Sequence, residues 1–84
     1  MAPYGYAFGD EAVHTFTALP AKRRVKLLQL CEHLARHPHQ SGDYHESGLT
    51  GRIYQLKLCD DLLITWWVDD AAREVRIVRL ECVD

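Results

Sequence analysis

The sequence has no apolar run long enough to cross a bilayer, which takes ~20 residues. Its longest, Leu62 to Val68, contains Thr65 and is only strand-length. Met1–Asp10 lacks a basic segment followed by an apolar one, so no secretory signal is expected. Cysteine is scarce: Cys31, Cys59 and Cys82 are odd in number and widely spaced, whereas a disulfide framework wants an even, denser set. These absences point to a reduced, cytoplasmic protein with small packed thiols and no membrane partner. An excess of one charge is also missing. Lys plus Arg is 10 and Asp plus Glu is 12, a net charge of −2, which is not the strongly basic balance of a stand-alone nucleic-acid binder. Repeats, low-complexity tracts and linkers are absent as well.

What is present is globular in character: hydrophobic residues are 48% and charged residues 26%. Residues 1–84 are expected to form one domain. A domain of this size buries only about 60–65% of its unfolded surface, so a partner that covers apolar surface matters energetically.

Tyr4 to Phe8 reads as a short aromatic strand. Asp10 is a candidate cap for a helix starting at Glu11, with Ala12, Val13 and Phe16 on its apolar side. Pro20 ends that helix and suits the first turn of the next. Over Ala21–His37, Leu27, Leu28, Leu30, Cys31, Leu34 and Ala35 share one arc, until Pro38 stops the helix. His39 to Gly48 is polar and reads as a loop. From Gly51 the period becomes two: Tyr54, Leu56 and Leu58 share one face, and Ile53, Gln55 and Lys57 the other. Asp60-Asp61 makes a tight turn into Leu62–Val68, which is apolar on both faces and so reads as a central strand. After Asp69–Ala72, a last strand runs from Glu74 to Val83. Its alternation breaks at Ile77-Val78, through a bulge or burial on both sides.

The expected fold class is α+β, a two-layer β-α-α-β-β-β arrangement with a helical hairpin on one face of a mainly antiparallel sheet. The expected core is Leu28, Cys31, Leu34, Tyr54, Leu56, Ile64 and Trp66. Cys59 and Cys82 read as strand packing residues. The other sheet face stays open.

Several segments together resemble the RelE/ParE superfamily of toxins from type II toxin–antitoxin modules. They are Ala-Leu-Pro-Ala-Lys-Arg-Arg over 18–24, Leu34-Ala-Arg-His-Pro38, Leu49-Thr-Gly51-Arg-Ile-Tyr54-Gln-Leu-Lys57, Leu62-Leu-Ile-Thr-Trp66-Trp-Val-Asp69, and Val75-Arg-Ile-Val-Arg-Leu80. The resemblance covers about Tyr4 to Leu80. It implies a helical-hairpin-on-sheet fold, a cognate antitoxin that wraps the toxin, and one of two activities. RelE-like members cut messenger RNA on the ribosome; ParE-like members inhibit DNA gyrase without a nuclease site. A third outcome is a partner-binding chain with no toxicity. The sequence departs from the superfamily in two places. A common Tyr-Arg-x-x-Tyr stretch aligns with Leu62-Leu63-Ile64-Thr65-Trp66, and no Tyr or His follows Trp67.

The open sheet face is the expected site. Strand alternation directs Leu62, Ile64, Trp66 and Val68 to the helices, and Leu63, Thr65 and Trp67 away from them. Gln55 and Lys57 are expected beside Trp67, where a ring and a cation would stack a base and hold a phosphate. Arg76 joins the binding set. Lys57, Arg52 and Arg79 are the candidate catalytic cations, although Arg52 has the opposite parity to Lys57. The competing reading has an antitoxin segment, or a second copy of the chain as a homodimer, covering Trp67. Lys22, Lys26, His33 and His37 read as a solvated helix face. No metal or cofactor is expected, because Cys31 lies on the buried arc and cannot share an ion with His33, His37 and His39.

Overall fold

The computed structural model describes residues 3–83; Met1, Ala2 and Asp84 lie outside the described residues. The chain begins with β1 (Gly5–Phe8) and continues through α1 (Asp10–Ala18) and α2 (Ala21–Arg36). Four strands follow: β2 (Tyr44–Ser47), β3 (Ile53–Cys59), β4 (Leu62–Asp69) and β5 (Glu74–Cys82). One five-stranded sheet has the order β1-β5-β4-β3-β2. β1 runs parallel to β5 and every other pairing is antiparallel. The α+β class and the two-layer arrangement are as the sequence predicts, and β4 takes the central place expected of its two-sided apolarity. Tyr44–Ser47, expected as loop, is instead a fifth strand at the margin. All four of its residues are exposed, so it carries no burial signal.

α1 is capped by Gly9 with no side-chain hydrogen bond, and Asp10 is its first helical residue rather than its cap. Leu19, just after α1, is buried beside Ala12 in the core. Val13, expected on the apolar side, is exposed. Pro20 caps α2, and its carbonyl accepts from the amides of Arg23 and Arg24. Leu27, Cys31 and Leu34 fall at i, i+4 and i+7 and form the buried stripe. Leu28 sits 100° round from Leu27 and is only half-buried, so Leu27 takes the place in the core expected for Leu28.

Against this stripe lie Leu62, Ile64 and Trp66 from β4 and Val75, Ile77 and Leu80 from β5. Tyr54 and Leu56 are not part of this core. Residues directly opposite each other on antiparallel strands share a face. Leu56 lies opposite Thr65, Lys57 opposite Ile64 and Gln55 opposite Trp66. Tyr54, Leu56 and Leu58 therefore face away from the helices, and Gln55 and Lys57 face toward them. The broken alternation at Ile77-Val78 is a bulge: Thr65 pairs with Arg79 and Trp66 with Ile77, leaving Val78 as the extra residue. It keeps Ile77 and Leu80 on the core face while Arg76 and Arg79 both lie on the open face.

The turns fix these registers. Asp60 carries a φ of 57° between Cys59 and Leu62, a left-handed conformation that Asp tolerates in a two-residue hairpin. Asp60 pairs with Lys26 at 2.5 Å and Asp61 with Arg23, tying this turn to the N-terminal half of α2. Among the described residues, no helix is long and apolar enough to cross a membrane. Cys82, expected to pack, is exposed, whereas Cys59 packs against the core.

Candidate functional site

The site is built from the open face of β3, β4 and β5. A turn over Gly48–Gly51, closed by the Gly51 amide donating to the Gly48 carbonyl at 3.1 Å, delivers Arg52 to the start of β3. Gly51 has a φ of 81°, which L side chains rarely adopt, so glycine suits the turn. Arg52 has the parity of Tyr54 and Leu56, and it reaches the open face with no irregularity in the strand. Its guanidinium carbon lies 3.7 Å from the centroid of the Trp67 ring, a close cation–π contact. Arg76, opposite Trp67 on β5, lies 5.8 Å from the same centroid.

The three open-face arginines differ in their electrostatic surroundings. Arg76 pairs with Asp69 at 3.2 Å and Glu74 at 3.3 Å. Arg79 reaches Glu81 at 3.6 Å and Glu11 at 3.9 Å. Arg52 has no carboxylate within ion-pairing distance among the described residues, so its contact with Trp67 leaves the charge unmatched. The structure therefore brings together Arg52, Trp67, Arg76, Thr65, Leu63 and Arg79 on one face. Thr65 lies opposite Arg79, and Leu63 opposite Glu81. Thr65 is 2% exposed, hemmed in by neighbours on both sides, and its Oγ1 has no partner.

Lys57 does not join them, and Gln55 lies on the helix side, meeting Arg52 and Trp67 only where a depression opens at the end of the sheet. Lys57 lies on the helix side, 3.9 Å from Asp43, and Gln55 Oε1 accepts from the Gly42 amide at 2.9 Å. Both are occupied with the segment that enters β2. Tyr54 and Glu46, directly opposite each other on β3 and β2, were not expected at the site. They border a depression of about 190 Å³ with Thr65, Arg79 and Glu11. Counting residues outward from the Asp60-Asp61 turn is the signal that finds Tyr54. Nothing in the sequence marks Glu46, because β2 has no apolar pattern.

At the end of the sheet a larger depression, about 780 Å³ and open to solvent, runs from Arg52 and Trp67 to His39, Gln40 and Asp70. There His39 Nε2 lies 2.8 Å from Asp70 Oδ1, and the Tyr4 hydroxyl donates to the same oxygen at 2.5 Å. The Tyr4 and His39 rings meet edge-on at 5.8 Å. The Tyr4 hydroxyl, and then His39, hold the Asp70 carboxyl below its ordinary value. The same Asp70 contact raises the Tyr4 phenol. Among the described residues, no group of three or more His, Cys, Asp or Glu side chains comes together as a metal site.

No family model and no curated protein sequence matches the chain. Solved structures do. The RelBE2 toxin–antitoxin complex of Mycobacterium tuberculosis contains a chain 21% identical, with a TM-score of 0.74, covering 96% of this chain and 99% of that one. The archaeal RelE–RelB complex of Pyrococcus horikoshii OT3 gives 15% identity and a TM-score of 0.76, covering 96% of each chain. The isolated RelE toxin of E. coli gives 12% identity and a TM-score of 0.69, covering 96% of this chain and 85% of that one. At these identities the likeness concerns architecture, and it spans nearly the whole of each chain. This chain therefore has the RelE-like fold, two helices on a five-stranded sheet.

Proposed function

We propose that this chain is the toxin of a type II toxin–antitoxin pair, acting in the cytoplasm as a single domain on messenger RNA at the ribosome. A cognate antitoxin holds it inactive. The observation that carries this reading is a RelE-like fold whose open face presents an unmatched guanidinium, Arg52, on its largest aromatic ring, Trp67. A cation without a carboxylate partner attracts phosphate, and an aromatic ring beside it offers a stacking surface for a base. Arg76 and Arg79 supply further positive charge once RNA competes with their carboxylates. Exposed Tyr44, Leu49, Ile53 and Leu58 all lie along β2, β3 and their connecting turn, and this apolar margin suits an antitoxin segment.

A second reading has the open face dock onto a protein such as DNA gyrase without chemistry. The four carboxylates around Arg76 and Arg79 favour it, since they keep the face from being strongly cationic. Inducing the chain alone, and following messenger RNA cleavage on translating ribosomes and DNA supercoiling separately, distinguishes the two. On the RNA reading, Arg52→Ala lowers cleavage about 10²–10³-fold, the usual loss for a preorganised charge contact. Lys57→Ala, on the far face, leaves cleavage unchanged. Supercoiling loss with intact messenger RNA supports the docking reading, and then Trp67→Ala weakens inhibition most.

A further inference from the structure

The RNA reading leaves a chemical gap. Cleavage through a ribose 2′-hydroxyl needs a group that takes its proton, and neither Trp67 nor Arg76 beside Arg52 can take one. We propose that His39, oriented by Asp70, is the general base of RNA cleavage in this chain, acting at the end of the sheet where Arg52 holds the phosphate. This inference rests on the RNA reading above.

Three observations lead there. The first is the His39–Asp70 contact of 2.8 Å through Nε2. An ionised carboxylate only accepts hydrogen bonds, so Nε2 carries the proton and Nδ1 keeps its lone pair as the basic nitrogen. The second is the support behind the pair. Tyr4 donates to the same Asp70 oxygen at 2.5 Å and meets His39 edge-on, so the carboxylate stays ionised and the imidazole is braced. Arg73 also lies near enough to act on the Tyr4 phenol. The third is the shared depression: His39, Asp70, Arg52 and Trp67 line one open cleft of about 780 Å³, with room for a nucleotide step. The His39 side chain is 66% exposed, so a ribose can reach it.

The step balances without a metal or cofactor. His39 Nδ1 takes the proton of the 2′-hydroxyl as its oxygen bonds to phosphorus. The bond from phosphorus to the 5′-oxygen breaks. Water protonates the leaving 5′-oxygen, and the resulting hydroxide recovers the proton from His39. The products are a 2′,3′-cyclic phosphate and a 5′-hydroxyl. Arg52 stabilises the charge that develops on the non-bridging oxygens. The substrate is then single-stranded RNA with an intact 2′-hydroxyl at the cleaved nucleotide.

The test uses the whole chain with translating ribosomes and a defined messenger RNA, beside the same messenger carrying one 2′-deoxy nucleotide at the cleaved position. The parent cleaves the first and not the second. His39→Gln lowers cleavage about 10²–10⁴-fold, the range of a general base. Asp70→Asn lowers it less and shifts the acid limb of the pH–rate profile, as a positioning residue does. Thermal unfolding of both variants checks that the fold persists, and rescue of His39→Gln by added imidazole separates lost chemistry from lost structure. A parent that cleaves, with His39→Gln cleaving at the same rate and with the same pH profile, overturns the assignment of His39 and leaves the RNA reading standing. Cleavage of the 2′-deoxy messenger overturns the mechanism. A parent that leaves messenger RNA intact overturns both.

Discussion

At Cys31 the thiol lies wholly inside the core, and burial pushes its pKa up to about 12. A thiol that stays protonated is not a nucleophile, whereas Cys82 is exposed at the end of β5. A thiol reagent at pH 8 should therefore label Cys82 in the folded protein and reach Cys31 only on unfolding; rapid native labelling of Cys31 would contradict the packing of α2. The same helix gives a second prediction. Leu34 is 0% exposed and Leu27 only 2%, and burying such side chains is worth more than packing a half-exposed one. Leu34→Ala should cost about 2–5 kcal/mol, a large share of what a small domain has. Leu27→Ala should cost clearly more than Leu28→Ala; urea unfolding of the three variants gives the ranking.

Among the elements, β3 shows how a pattern misleads and how a turn corrects it. Tyr54, Leu56 and Leu58 look like the buried set by hydrophobicity, yet they line the open face. Their apolar surface is part of what that face offers a partner. The Asp60-Asp61 turn was legible in the sequence, and a two-residue turn pairs Cys59 with Leu62. Counting back from it places Lys57 opposite Ile64. In β3, turn chemistry thus outranks the amphipathic pattern, because the more apolar side is the one the helices do not cover. The helices, the central strand and the last strand were legible because their burial is one-sided or complete. β2 was not, since its pairing is made by backbone groups alone. The Arg52–Trp67 contact depended on the face of β3 and so was inherited from that register. The approach to β2 is tight: a Cβ at Gly42 would stand 2.5 Å from the Leu56 carbonyl oxygen and 3.0 Å from its carbon. Gly42→Ala should push the segment off β3 and destabilise by about 1–3 kcal/mol, the usual range for overpacking. A change within error in chemical denaturation would mean this segment is not seated against Leu56.

For the molecule as a whole, Asp70 joins three parts of the chain: Tyr4 just before β1, His39 in the segment after α2, and the β4–β5 turn on which it sits. Its carboxyl titrates below the ordinary 3.8 in the folded protein. The unfolded chain therefore takes up the proton first as pH falls. The stability that Asp70 contributes is complete above pH 3.8 and fades as pH drops through the folded value. Asp70→Asn should flatten the acid limb of a melting-temperature profile in that range, while an unchanged limb would show the cluster to be slack. β1 has a consequence of its own, in the timing of synthesis. It pairs with β5, Gly5 against Glu74 and Phe8 against Ile77, and β5 brings Val75, Ile77 and Leu80 to the core. A growing polypeptide that ends at residue 69 contains the sequence of both helices and of β2, β3 and β4, but its first strand has no neighbour. The open face stays without Arg76 and Arg79 until the last strand is made. A message cut short before residue 74 therefore yields a fragment whose first strand has no neighbour and whose core lacks Val75, Ile77 and Leu80.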